Sequence, residues 1–268
     1  MSNKRFIIKT LCIAAIISAM CSCTAKKQNT STYWAGHDFS SLKDFDDIRT
    51  AEDKFAGYID LLSKETPESA KTELRVFLDS ASRNQIAYMV WTGWFASAFH
   101  AMDSPYRNDE LYKAWFEMIE QDKVIDDEYM MSELRKVCHL IDLNTVGSYP
   151  ENIRLCNTED VEFQLSDMTG RKTLLFFVDA NCPSCMQSLE ENMKEYGRKK
   201  VRMIGVLVNG SKRHVENISK KLPESIVAGW ELVWCPDREL EKGNKYDLSQ
   251  LSFRMMLGAD GRIVKRYF

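Results

Sequence analysis

The sequence has no surplus of positive charge, no apolar stretch long enough to cross a bilayer, and no clustering of its few histidines. The formal charge is -3 and the isoelectric point is near 5.9 over 268 residues. That balance gives no general attraction to nucleic acid or to anionic membrane surfaces, which a basic excess would supply. No nucleic-acid partner is therefore expected. The longest apolar run near the N-terminus, Thr10 to Met20, falls well short of the ~20 residues a membrane-spanning helix needs. The four histidines and Cys138, Cys156 and Cys235 are scattered singly, so a metal site with four converging ligands is not expected, and neither is a cofactor. Hydrophobic residues make up 44% of the chain and aromatics 11%, enough to bury a substantial core in one large or two ordinary domains.

The first residues, MSNKRFIIKTLCIAAIISAMCSC, carry Lys4, Arg5 and Lys9, then the apolar run, then small residues and two cysteines. That order is the signature of an export signal. A cysteine closing such a segment resembles the bacterial lipobox, whose thiol is acylated and becomes the mature N-terminus. Cys23, preceded by the small Ser22, fits the cut better than Cys21, which follows Met20; Cys21 is the alternative. Residues 1–22 thus read as a lipoprotein signal peptide and 23–32 as a flexible polar tether. Without the signal the charge becomes more negative, since the charged residues of that segment are all basic. The lipid would tie the chain to a membrane of the cell envelope, by default the outer membrane with the protein facing the periplasm, because no acidic run follows the lipid cysteine. Disulfides persist in such a compartment unless they are actively reduced.

Two grammars follow. Residues 33–144 read as helices over about 48–64, 67–82, 84–102, 108–121 and 127–142, with Thr66 as N-cap and Pro67 at the first helical position of the second. In the third, Tyr88, Trp91, Trp94, Phe95 and Phe99 recur at helical spacing and read as core. After Gly147 strands alternate with helices. Val161 to Leu165 alternates, Thr173 to Val178 is a continuous apolar run suited to a strand buried on both faces, and Val201 to Val208 is a second. Further strands are read at Trp230 to Trp234, Met255 to Leu257 and Ile263 to Tyr267, with helices from Pro183 to Arg198 and Arg213 to Lys221. The fold class is an α/β domain over 145–268, a central mixed sheet flanked by helices, preceded by an all-α domain.

Cys182-Pro183-Ser184-Cys185 lies between a buried strand and a helix, the context that makes a CxxC tetrapeptide a redox proposal. At a helix start the Cys182 sulfur meets unpaired backbone N–H groups and the positive end of the helix dipole, which favour thiolate. Cys182 reads as the nucleophile. Cys185, one turn on, faces the same side and reads as the resolving thiol. Cys138 reads as a small packed hydrophobe, and Cys156 and Cys235 as a pair only if neighbouring strands bring them within range.

FQLSDMTGRKTLLFFVDANCPSC, then MIGVLVNG, then MMLGADGRIVKRYF resemble the TlpA/ResA-like thioredoxin fold, membrane-associated thiol-disulfide oxidoreductases of bacterial envelopes. The helical half, with SPYRNDELYKAWFEM, resembles a domain of unknown role fused to such modules in lipoproteins of Bacteroidales. The resemblance covers about residues 145–268. It implies a thioredoxin-like domain, reduction of disulfides in envelope proteins, and a membrane thiol donor of electrons as partner. Carried over by position, Cys182 attacks and Cys185 resolves, and Pro183, Ser184, Leu251 and Ser252 line the substrate groove. The family usually has a cis-proline where this chain has Ser252. A cis bond before a non-proline residue costs about 3 kcal/mol, so a trans Leu251–Ser252 peptide is expected. The buried acid of many thioredoxins is replaced by Phe176; Asp179, Glu190 and Glu191 read as solvated charges. The last strand ends at the final residues, without the family's usual closing helix. The competing reading is a thioredoxin-fold binding or scaffold lipoprotein without catalysis.

Overall fold

The computed structural model describes residues 29–40, 42, 45–196, 201–221, 230–248 and 251–266. By contacts the chain forms two compact units, one up to Ser80 and one from Ala81 onward. In the first, a 3-10 turn at Thr30–Thr32 precedes α1 (Phe45–Leu62) and α2 (Pro67–Ala81). Thr66 caps α2 as its sequence implies, its hydroxyl accepting from the Ser69 N–H at 3.3 Å. Tyr58 stacks on Phe77 at 5.5 Å and Trp34 meets the same ring edge-on at 5.2 Å. The polar stretch expected to be a tether up to residue 32 is fixed at its end. Asn29 caps the turn through the Thr32 N–H, and the buried Thr30 hydroxyl donates to Glu65 at 2.6 Å. Composition alone does not register such side-chain caps.

The second unit begins with three helices, α3 (Gln85–His100), α4 (Asp109–Asp122) and α5 (Glu128–Leu143). Asn84, Asn108 and Asp127 cap them, each side chain accepting from a first-turn N–H at 3.0 Å. Such caps are worth ~1 kcal/mol apiece. Tyr88, Trp91, Phe95 and Phe99 are buried while Trp94 is partly exposed, so the aromatic stripe is core.

The sheet follows: β1 (Arg154–Cys156), β2 (Glu162–Gln164), β3 (Thr173–Asp179), β4 (Arg202–Val208), β5 (Trp230–Trp234), β6 (Phe253–Leu257) and β7 (Ile263–Arg266). Their order is β2-β1-β5-β4-β3-β6-β7. The central β3, β4 and β5 are parallel, and the outer pairings are antiparallel. Helix α6 (Pro183–Tyr196) connects β3 to β4, and α7 (Lys212–Lys221) follows β4. A four-residue α8 (Glu239–Lys242) follows β5.

Because successive strand residues face opposite sides, β3 feeds two cores. Leu174, Phe176 and Val178 pack with Cys185 and Leu189 of α6 and Val215 of α7. Leu175 and Phe177 pack with Leu240, Tyr246 and Phe253 on the other face, and Met102 and Leu251 pack against that cluster.

The junction near residue 144 is heavily bonded. His100 meets Asp247 at 2.8 Å, both buried. Asn144 donates to the Lys245 carbonyl at 2.7 Å and accepts from the Glu151 N–H at 2.9 Å. Arg266 of β7 reaches the Ile141 carbonyl at 3.1 Å, the Asn144 carbonyl, and Asp109 at 2.6 Å. Helices α3 to α5 therefore belong to the same compact unit as the sheet, whereas composition changes at 145.

Candidate redox site

The site grows from the end of β3. Every residue from Thr173 to Val178 is buried, and the run ends at Asp179. Its carboxylate accepts from the Asn181 N–H at 2.7 Å and from Asn209 Nδ2 at 3.1 Å, and its backbone carbonyl accepts from the Cys182 N–H at 3.3 Å. Asp179 is thus not the solvated charge expected; it winds the turn that delivers Cys182 to the start of α6, using the side-chain-to-backbone bond typical of Asp in turns. Asn209, at the end of β4, is held in turn by Arg238 at 2.9 Å and by Glu241, which accepts from its N–H. Sequence reasoning does not reach Asn209 or these partners, because each bond from Asp179 to Asn209 and from Asn209 to Arg238 and Glu241 spans about thirty positions; the only local signal is Asp179 two residues before Asn181.

Cys182 and Cys185 are joined in a disulfide with Cα atoms 5.2 Å apart. Pro183 is the first residue of α6, so Cys182 occupies the capping position. Its sulfur does what a capping oxygen does: the Cys185 N–H points at it from 3.3 Å. The exposed Ser184 hydroxyl lies 3.2 Å from the same sulfur. The two thiols differ in access. Cys182 is partly exposed and Cys185 is 6% exposed, beneath it.

The Leu251–Ser252 peptide is cis, not trans as expected. The expectation rested on the intrinsic preference of a secondary amide and took no account of packing: Leu251 joins the core beneath β3 and Phe253 stacks on Phe177 at 4.4 Å. With Phe253 paired to Phe177, Leu251 and Ser252 stand at the end of the strands from which the Cys182 turn departs.

Phe176, where many thioredoxins place an acid, is 1% exposed. Glu190 pairs with Lys194 at 2.8 Å and Glu191 accepts from Gln187 at 3.1 Å. Between α6 and α7 a cavity of about 550 Å³ opens, with Cys182, Leu189 and Glu190 on one side and His214, Ile218 and Lys221 on the other.

Cys138, Cys156 and Cys235 are free thiols. Cys156 lies opposite Trp234, so Cys235, one residue on, points to the other face and the two cannot pair. Burial pushes the Cys138 and Cys235 thiols up to about 12, and raises Cys156 too. Cys21 and Cys23 lie outside the described residues. Among the described residues no three His, Cys, Asp or Glu side chains gather to hold a metal, and no helix is long and apolar enough to cross a membrane.

Fold and site together define a thioredoxin-like domain carrying a CxxC disulfide, preceded by an all-helical region. The sequence model of the AhpC/TSA family matches residues 146–267. The chain is similar to a thioredoxin-like protein from Bacteroides caccae, at 16% identity over 89% of this chain and 87% of that one, with a TM-score of 0.74. It also matches the thioredoxin domain of a thiol-disulfide oxidoreductase from Bacteroides vulgatus, at 17% identity over 46% of this chain and 89% of that domain, with a TM-score of 0.40. No curated protein matches the chain.

Proposed function

We propose that the protein is an extracytoplasmic thiol-disulfide oxidoreductase, held to the cell envelope through a lipid on Cys23, that reduces disulfides of envelope proteins. The observation that carries the reading is the asymmetric pair at the start of α6, an accessible Cys182 over a buried Cys185. In the dithiol form the Cys182 thiolate attacks one sulfur of a substrate disulfide. That S–S bond breaks, one substrate sulfur leaves as a thiolate and takes up a proton, and a mixed disulfide to Cys182 remains. Cys185 then loses its proton and attacks the Cys182 sulfur, releasing the second substrate thiol and closing the disulfide seen here. Two electrons have passed to the substrate, and a membrane dithiol donor returns them.

The positive end of α6 and the Cys185 N–H favour the Cys182 thiolate. Asp179 holds the turn in place. Leu251 and Ser252, at the same end of the sheet, would offer backbone to the incoming chain. The export signal with its lipobox-like end supports the location. The test is the reduction potential of the pair in the chain from Thr24 onward, equilibrated in defined thiol buffers. A reversible couple well below the about -180 mV of an oxidising isomerase is expected. A pair that cannot be reduced without unfolding would instead mark a structural disulfide and leave a scaffold role.

A further inference from the structure

We infer that the cavity between α6 and α7 is a specificity pocket that takes a large apolar residue flanking the substrate's disulfide cysteine; this rests on the exchange reaction proposed above. Position is the first ground. Cys182 forms part of the cavity wall. In a mixed disulfide the substrate sulfur is bonded to Cys182, about 2 Å away, and the next substrate Cα lies about 3.8 Å from that of its cysteine. A side chain there is within reach of the cavity.

Size and lining are the second ground. About 550 Å³ falls within the roughly 300–1,000 Å³ of pockets that enclose small ligands. That is room for a large side chain together with the backbone and part of the residue beside it. Among the described residues the apolar lining is Ala180, Leu189 and Ile218, all of which belong to or pack against the core on that face; Leu189 is fully buried and forms the floor, so the apolar surface a side chain would meet is that of Ala180 and Ile218. Around them stand the amides of Asn181, Gln187 and Asn217, each with a donor and an acceptor to match a peptide group. Charge of both signs is present, Glu190 on α6 and Lys221 on α7, so the lining selects no charged residue of one sign.

The pocket is separate from the groove at Leu251 and Ser252. Leu189 and Ile218 lie with the core on the α6 and α7 face, while Leu251 packs on the opposite face of the sheet. Cys182 stands where a substrate could engage both. The groove would hold extended backbone, common to all polypeptides; the pocket would distinguish one neighbouring side chain from another.

The test uses the reduced chain from Thr24 onward and homodimeric peptide disulfides that differ only in the residue after the cysteine, leucine or phenylalanine against serine. Cystamine serves as a disulfide with no side chain to place. Single-turnover rates of thiol release should be about tenfold or more higher for the leucine and phenylalanine peptides than for serine, the range that apolar pocket contacts provide. Ile218→Asp should bring that ratio to within about twofold of one; because the readout is a ratio within one variant, a general loss of reactivity does not obscure it. Equal rates for all peptides in the unaltered chain would overturn the pocket and leave the exchange reaction standing. A preference that survived Ile218→Asp would do the same. No reaction with any peptide or with cystamine would overturn the exchange reaction and the pocket with it.

Discussion

Reducing the Cys182–Cys185 disulfide should lower the stability of the fold by about 1 kcal/mol, a figure set by two opposing effects. The bond joins residues separated by 3 positions. Loop-closure entropy for so short a ring stabilises the oxidised form by about 2 kcal/mol. Against this, the reduced form gains the attraction between a Cys182 thiolate and the start of α6, worth about 0.3–1 kcal/mol near a surface. The Cys185 N–H points at the Cys182 sulfur in both forms but bonds a thiolate more strongly than a neutral disulfide sulfur, which brings the balance to its lower end, about 1 kcal/mol. Urea unfolding of the oxidised and the reduced chain, each followed by far-UV circular dichroism, measures the balance. In heat the reduced form should melt about 2–4 °C lower, the usual response of a unit of this size to 1 kcal/mol. The thermodynamic cycle makes the same quantity the extent to which the folded pair resists reduction compared with the unfolded chain, about 20 mV. A reduced form as stable as the oxidised one, or more so, would refute the reasoning. It would mean that the site favours the dithiol, the behaviour of an oxidant, and the proposed direction of transfer would fall.

Three further outcomes are expected. Cys185→Ser should accumulate a mixed disulfide to substrate through Cys182, visible by mass spectrometry and reversed by dithiothreitol; adducts on Cys138, Cys156 or Cys235 would contradict the assignment, since burial raises all three thiols. His100→Ala removes the 2.8 Å contact to the buried Asp247, a hydrogen bond to a charged group, and should cost about 1.5–3 kcal/mol, or roughly 3–12 °C in melting temperature; a shift below about 2 °C would remove the pair from any stabilising role. The Lys245 hydrogen bond, aided by the Arg154 N–H and opposed by burial, holds Glu239 below the ordinary carboxylate range. A depressed folded value means that its contribution is complete above the ordinary carboxylate pKa and is lost as pH falls through the lowered one. Glu239→Gln should therefore flatten the acid side of the urea-midpoint profile, and an unchanged slope would count against the Lys245 contact.

The features legible in the sequence were those written in neighbouring residues. The unbroken run from Thr173 to Val178 announced a strand buried on both faces, and the CxxC directly after it announced the cysteine pair at the start of α6. Thr66-Pro67 marked the start of α2, and the aromatic spacing of α3 marked its buried side. Strand β1 was missed because three residues hold no readable alternation; it is a strand only by its pairing with β2 and β5. The four residues of α8 were too few for periodicity. Asp179 was misread because an acid at a strand end is commonly solvated, and its ties to Asn181 and Asn209 depend on how the turn closes. The cis Leu251–Ser252 peptide follows neighbouring packing, which a rule for isolated amides does not contain. His214 and Ile218 join Cys182 around one cavity only because α7 folds back beside α6.

The bonds from Asp247, Lys245 and Arg266 to α3, α4 and α5 bear on how this protein can be taken apart. A fragment cut at residue 145 would keep the whole sequence of the sheet, yet it would expose a carboxylate, a carbonyl and a guanidinium that the longer chain keeps satisfied. Loss of redox activity in that fragment would report a damaged scaffold before it reported any duty of the helices in recognising a substrate. A cut at Ala81 keeps those bonds intact and is the appropriate dividing line for separating the unit that carries the sheet from the rest of the chain.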